Sequence, residues 1–246
     1  MIYFLVLLFP FFVSADTLDA LVDDILKIEA VKPIVSIAGC PGVGKSTLAK
    51  NLQKRLSDRG VRSAIISLDE FGKSQEDRKV LTSELDPRRI YWDQIHLALT
   101  KVKMGGKLKL PSINQLTKER GEKILDLDEV DVILFEGSYA LGHFSPIDFL
   151  QYADYAIYIE TDLENIYDWK WEREFKKTIS RTSKAFFFHM KEIMQDFAFH
   201  VYPTRKNANK VLHIDAKHNF SLEDSEYFRE IPTPDFKETR EELLVY

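Results

Sequence analysis

The stretch Ile34-Val35-Ser36-Ile37-Ala38, followed by Gly39-Cys40-Pro41-Gly42-Val43-Gly44-Lys45-Ser46, leaves this chain few folds to choose from. The run after Pro33 is short and apolar, as in a buried strand, and Leu48, Leu52 and Leu56 recur at the spacing of one helix face. Between them lies the pattern GxxxxGK[ST], in the strand-to-helix position where such a turn can hold phosphate. Glycine permits the backbone angles that let successive N–H groups converge on an anion, and the following helix points its positive end at the same place. The candidate nucleotide-binding residues are therefore Gly39, Pro41, Gly42, Val43, Gly44, Lys45, Ser46 and Thr47. Lys45 is expected to reach the β- and γ-phosphates from an exposed loop outside the core, and the Ser46 hydroxyl to ligate Mg²⁺. Mg-ATP is the expected ligand.

Beyond the loop, Val61 to Leu68 is rich in strand formers and completes a βαβ unit. Val130 to Phe135, Tyr155 to Ile159 and Lys210 to Ile214 read as further strands, so the expected fold is α/β with a doubly wound, mainly parallel sheet. Ahead of the loop, the apolar residues between Thr17 and Ala30 recur at helical spacing, with Asp16 or Thr17 as cap. Asp162 to Phe199 contains no proline or glycine and reads as two helices flanking a segment near Lys177 to Ser183. These boundaries predict an apolar segment over 1–15, one P-loop domain over 16–220 and an acidic, solvated tail over 221–246.

Composition narrows the function classes. A net charge of −5, with the basic residues spread along the chain, gives no electrostatic reason to expect nucleic acid as partner. The single cysteine, Cys40, excludes an intrachain disulfide and a multi-cysteine zinc site, and its position makes it a small loop residue first. The six histidines show no metal-ligand spacing and read as structural, and the aromatic residues around Phe186 to Phe188 read as core or hinge. Met1 to Val13 is continuously apolar but too short to cross a bilayer comfortably, and its n-region contains no Lys or Arg. Two readings stay open for Met1 to Ala15: an export or membrane-tethering signal, or an apolar extension lying on the domain. Use of ATP favours a cytoplasmic protein, whose membrane contact would run only through this segment. The oligomeric state is not readable.

The loop alone does not separate a phosphotransferase from a hydrolase or a motor. Carboxylates at strand ends decide, because in an open α/β sheet those ends face the ligand crevice. Asp69 closes the strand Ala64 to Leu68, and Glu136 closes Val132 to Phe135, with Gly137 after it expected to admit a ligand closely.

These segments, taken in order, resemble the uridine kinase, phosphoribulokinase and pantothenate kinase group of P-loop kinases. The resemblance runs from about Asp16 to His218 and is carried by IAGCPGVGKSTLA, SLDEF (Ser67–Phe71), LDPRRIYWDQI (Leu85–Ile95), FEGSYAL (Phe135–Leu141), Trp169 to Arg173, and YPTRKNANKVL (Tyr202–Leu212). It implies a P-loop NTPase fold with a helical lid and transfer of the γ-phosphoryl group of ATP to a hydroxyl of a small molecule. By the same resemblance Asp69 is the base facing that hydroxyl, and Glu136 helps to hold Mg²⁺ or the acceptor. Ser46, Asp69 and Glu136 are the candidate metal residues, with Lys45, Asp69, Glu136 and Arg173 the catalytic ones. Arg173, Lys177 and Arg181 match the family's arginine-rich lid, Arg181 on the nucleotide.

Departures from the family pattern bear on the acceptor. Where uridine kinases carry a tyrosine, an acid and a histidine after the proline matching Pro111, this chain has Ile113, Asn114 and Lys118, while the arginine is kept as Arg120. Gly72 replaces a further tyrosine and Asn209 an acid. The groups that would bind a pyrimidine are missing, and Lys118 with Arg120 favours an anionic acceptor. Two other readings use the same loop: a nucleotide hydrolase or phosphotransferase toxin, and a nucleotide-binding regulatory protein of weak activity.

Overall fold

The computed structural model describes residues 15–74, 77, 89–113, 119–144, 147–175 and 183–223. Helix α1 (Ala15–Leu26) leads into strand β1 (Ile34–Gly39), then α2 (Lys45–Asp58) and β2 (Ser63–Ser67). Every residue of β1 is buried, as a strand covered on both faces requires. Leu48, Leu52 and Leu56 are fully buried on α2, each contributing about 2 kcal/mol of apolar transfer. Leu21, Val22 and Ile25 bury the matching face of α1. That helix begins at Ala15, so Asp16 and Thr17, expected as caps, lie within its first turn instead.

After β2 a short 3₁₀ turn (Leu68–Phe71) carries the chain away, and α3 (Trp92–Val102) brings it back to a hairpin of β3 (Lys107–Ile113) and β4 (Arg120–Asp126). Strand β5 (Val132–Glu136) re-enters the core, followed by the two-residue ladder of β6 (His143–Phe144) with β7 (Ile147–Asp148), and then β8 (Tyr155–Thr161). Helices α4 (Leu163–Lys170) and α5 (Ser183–Asp196) follow, before β9 (Lys210–Ile214) and β10 (Phe220–Glu223). Neither the hairpin nor β10 was expected from the sequence; β10 carries the sheet three residues beyond position 220.

The main sheet has the order β10-β9-β8-β1-β5-β2, parallel throughout except for β10 against β9. This is the doubly wound, mainly parallel P-loop NTPase architecture. Its registers matter for the site: Ile37 and Ser67 both stand opposite Glu136, and Gly39 stands opposite Ile159. The carboxyl ends of β1, β2 and β5 therefore finish side by side.

Two polar contacts fasten the return of the chain from the helical region. Arg205, fully buried, grips Glu160 at the end of β8 with Nε–Oε2 2.6 Å and Nη2–Oε1 3.1 Å, a two-pronged pair whose geometry suits burial. Asn209 accepts the Ala156 N–H through Oδ1 at 2.7 Å and donates its own N–H to the Ala156 carbonyl at 2.8 Å. An amide in place of the family's acid thus serves the join between β8 and β9.

Candidate active site

The glycine-rich turn is shaped by backbone that only glycine tolerates. At Gly39 φ is +146°, and a Cβ there would fall 2.3 Å from the Ile159 carbonyl oxygen on the neighbouring strand. Gly44, also left-handed at φ 101°, starts α2 with no side-chain cap, so the first N–H groups of that helix open toward the turn. Gly137 is tight for a different reason than expected: Leu68 occupies the space, 2.4 Å from where a Cβ would stand. The close approach expected for a ligand at Gly137 is made by the core instead.

Lys45 is the clearest correction. It is buried, only 8% exposed, with Nζ donating to the carbonyls of Gly39 at 3.1 Å and Cys40 at 2.9 Å. Burial pulls its pKa below the usual lysine value, while the charges of Asp69 and Glu136 oppose that fall. Burial pushes the Cys40 thiol up to about 12, against the pull of Lys45 and Lys170, so it is a neutral thiol at pH 7.

Glu136, 2% exposed, joins two elements through one oxygen: Oε1 accepts from Ser46 Oγ at 3.2 Å and from Ser67 Oγ at 2.5 Å. Burial raises its pKa, the nearby Asp69 adds to the rise, and the two hydroxyls and Lys45 hold it back. Asp69, expected to close the strand, is exposed in the 3₁₀ turn just after β2, close enough for its charge to act on both Lys45 and Glu136. A hydroxyl and carboxylates form the all-oxygen donor set that Mg²⁺ prefers, one that leaves room for phosphate and water ligands. Among the described residues no group of three His, Cys, Asp or Glu stands close enough together to hold a metal ion by itself.

Of the helical-region candidates, Arg173 is exposed in a π-type turn (Trp171–Phe175) after α4, while Lys177 and Arg181 lie outside the described residues. Sequence reading passed over Lys170, which is 5% exposed and lays its Cγ 3.2 Å from the Cβ position of Gly42. Its charge depresses the pKa of Lys45 and of Cys40. A second lysine packed on the phosphate turn adds positive charge there, of the sign that attracts a polyphosphate. The available signal was a lysine between two tryptophans in a helical run. Lys170→Met, which keeps the stem packed on Gly42, is expected to weaken ATP binding about tenfold or more, read by calorimetric titration; unchanged affinity would take Lys170 out of the site.

Arg120 stands opposite Ile113 in the hairpin, exposed, with Nη2 donating to the Lys73 carbonyl at 3.2 Å; Asn114 and Lys118 lie outside the described residues. The hairpin is tied to the turn that holds Asp69 by Lys123 and Glu70 at 2.7 Å. His96 hydrogen-bonds Tyr152, and His218 stacks on Trp169 with centroids 4.4 Å apart.

The chain is 28% identical over 183 residues to uridine-cytidine kinase B of Dictyostelium discoideum, covering 73% of each. It is 34% identical over 140 residues to a uridine kinase of Ureaplasma urealyticum, covering 54% of this chain and 65% of that enzyme's length. Its fold matches the phosphoribulokinase of Rhodobacter spheroides with a TM-score of 0.63 over 82% of this chain and 76% of that one; at 15% identity the likeness is one of fold. Residues 34–219, from β1 to the threshold of β10, match the profile of the Phosphoribulokinase / Uridine kinase family, and the chain belongs to that family.

Proposed function

We propose that this chain transfers the γ-phosphoryl group of Mg-ATP to a hydroxyl group of a small molecule. The observation that carries the reading is the junction at Glu136, where one buried carboxylate oxygen holds both the Ser46 hydroxyl of the phosphate turn and Ser67 beside Asp69. That junction ties the nucleotide end of the site to the acid of the neighbouring strand. In this reading the glycine-rich turn, with Thr47 after it, seats the phosphates, and Lys45 and Lys170 neutralise them. Ser46, Glu136 and Asp69 are the residues that would hold Mg²⁺, and the chemistry such an ion would supply is Lewis-acid neutralisation of the phosphates.

Asp69, exposed at the crevice, accepts the proton of the acceptor hydroxyl as that oxygen approaches phosphorus in line. Arg173, and Arg181 with Lys177 outside the described residues, would close over the leaving phosphates. Catalysis of this kind comes mainly from positioning and from fixed charge. The domain is proposed to span 16–220 or slightly beyond. Among the described residues no helix is long and apolar enough to cross a membrane, and dependence on ATP supports a cytoplasmic placement. The test is ATP consumption with and without a panel of nucleosides, sugars, sugar acids and pantothenate-like alcohols. Acceptor-dependent turnover supports the reading; turnover indifferent to acceptor would make the chain a hydrolase, and tight binding without product a regulatory protein.

For the acceptor, Ile113 in place of a hydrogen-bonding tyrosine argues against a pyrimidine nucleoside, and Arg120 near Lys73 favours an anionic molecule. Each unpaired polar atom of a base costs about 1–3 kcal/mol. Uridine and cytidine are thus expected to be used about a hundredfold less well than the true acceptor. Uridine phosphorylation at a kcat/KM of about 10⁴ M⁻¹s⁻¹ or better would overturn that expectation.

A further inference from the structure

Among the described residues no hydrogen bond or ion pair fixes the Asp69 carboxylate, so its placement falls to the turn that carries it, Leu68–Phe71. Both chain neighbours of Asp69 are pinned. Leu68, 1% exposed, fills the space beside Gly137 in the core. Glu70 points the other way, and its Oε2 accepts from Lys123 Nζ of β4 at 2.7 Å. Behind them Phe71 is buried, with its carbonyl accepting the Tyr91 N–H at 3.0 Å. The hairpin is a firm anchor for such a tie. Leu108 and Leu110 of β3 are buried, and Lys123 stands opposite Leu110 in the register, so it leaves the ribbon on the face that meets the core. The same strand supplies a second hold, from Arg120 Nη2 to the Lys73 carbonyl at 3.2 Å, just past the turn. An ion pair whose side chains are 40% and 16% exposed adds little to global stability. Its effect on geometry is another matter. A general base must stand within hydrogen-bond reach of the proton it takes, and a displacement of about 1 Å can cost about a hundredfold in rate.

Resting on the kinase reading above, in which Asp69 takes the proton of the acceptor hydroxyl, we propose that Lys123 is a positioning residue for Asp69. It acts through Glu70: the ion pair sets the orientation of the Leu68–Phe71 turn, and with it the direction in which the Asp69 carboxylate faces the crevice. In this role Lys123 touches neither nucleotide nor acceptor, so its loss lowers kcat and leaves the KM for ATP in place. The role belongs to the pair, so neutralising either member has the same effect. Conversely, it exists only while Asp69 can accept a proton.

The experiment uses the full chain and, as acceptor, whichever of uridine, D-ribose, D-glycerate and pantothenate gives the fastest acceptor-dependent use of ATP. At saturating Mg-ATP, Lys123→Met is expected to lower kcat about tenfold or more, with KM for ATP within about twofold. Glu70→Gln should match it, the two together should cost no more than either alone, and Lys123→Arg should keep kcat within about threefold. On Asp69→Asn, where no base remains to be positioned, Lys123→Met should change the residual rate by less than about twofold. Hydrogen exchange of the amides of residues 68–72 reads the turn without any acceptor. It should run about tenfold faster in Lys123→Met, with exchange in β1 and β5 unchanged. A loss of kcat that Glu70→Gln does not share, or that persists in full on Asp69→Asn, overturns the proposal and leaves the kinase reading standing. Unchanged exchange at the turn does the same, whether or not any of the four acceptors is used. ATP binding that is indifferent to Lys45→Ala would instead remove the kinase reading itself.

Discussion

Lys45→Ala is expected to lower phosphoryl transfer by about a thousandfold or more, roughly 4 kcal/mol in transition-state stabilisation, with the fold retained. The lysine is buried and held at the mouth of the phosphate turn by the carbonyls of Gly39 and Cys40. Charge that is fixed in a low-dielectric place acts more strongly on a developing phosphoryl charge than the same ammonium in water. The effect on stability is small because opposing contributions cancel. Alanine removes two hydrogen bonds worth about 1 kcal/mol each, but it also removes the cost of burying an ammonium near Lys170. Steady-state rates and a thermal melt on the same preparation check the prediction. A loss of rate accompanied by a collapsed melting transition would mean that Lys45 is a structural pin of the loop.

What the sequence discloses of this site is what lies close together along the chain. The glycines, Lys45 and Ser46 fall within one turn, and their strand and helix are adjacent, so pattern and spacing suffice to place them. Asp69 and Glu136 are readable as strand ends because an apolar run stops at each. Pairing is another matter. That Ser67 donates to Glu136 follows from the register of β2 on β5, and no local feature of Ser67 announces it. Lys170 is hidden for the same reason: it is an ordinary charged residue in a helical stretch until tertiary packing buries it. The hairpin did leave a trace, since Lys107-Leu108-Lys109-Leu110 alternates with the period of a strand. Pro111 within that run obscures it, because proline is tolerated only where a strand has a free edge. A two-stranded ribbon offers such an edge. Lys45 shows the opposite failure, because a residue type usually exposed is here enclosed by the loop's own carbonyls.

Asp69→Asn is expected to reduce kcat by a factor of about 10² to 10⁴ while ATP affinity stays within a few-fold. The carboxylate sits exposed in the 3₁₀ turn just after β2, whereas the proposed nucleotide contacts belong to Lys45, Ser46 and the glycine-rich turn. Removing its charge therefore leaves most phosphate contacts in place. What is lost is the group able to take a proton from the acceptor at the moment its oxygen attacks, an interaction present in the transition state and absent from the ATP complex. Asparagine matches the size and keeps an accepting oxygen, so the substrate can still be oriented but not deprotonated. The two neighbouring charges sharpen the test. Without the Asp69 carboxylate, Glu136 loses a repulsive neighbour and Lys45 loses an attractive one, so both pKa values should fall. Neither change weakens a phosphate contact directly. Calorimetric titration of ATP beside single-turnover transfer separates the outcomes: a steep loss of Mg-ATP affinity in step with kcat would make Asp69 chiefly a metal-site residue, and unchanged kcat would remove it from the chemistry.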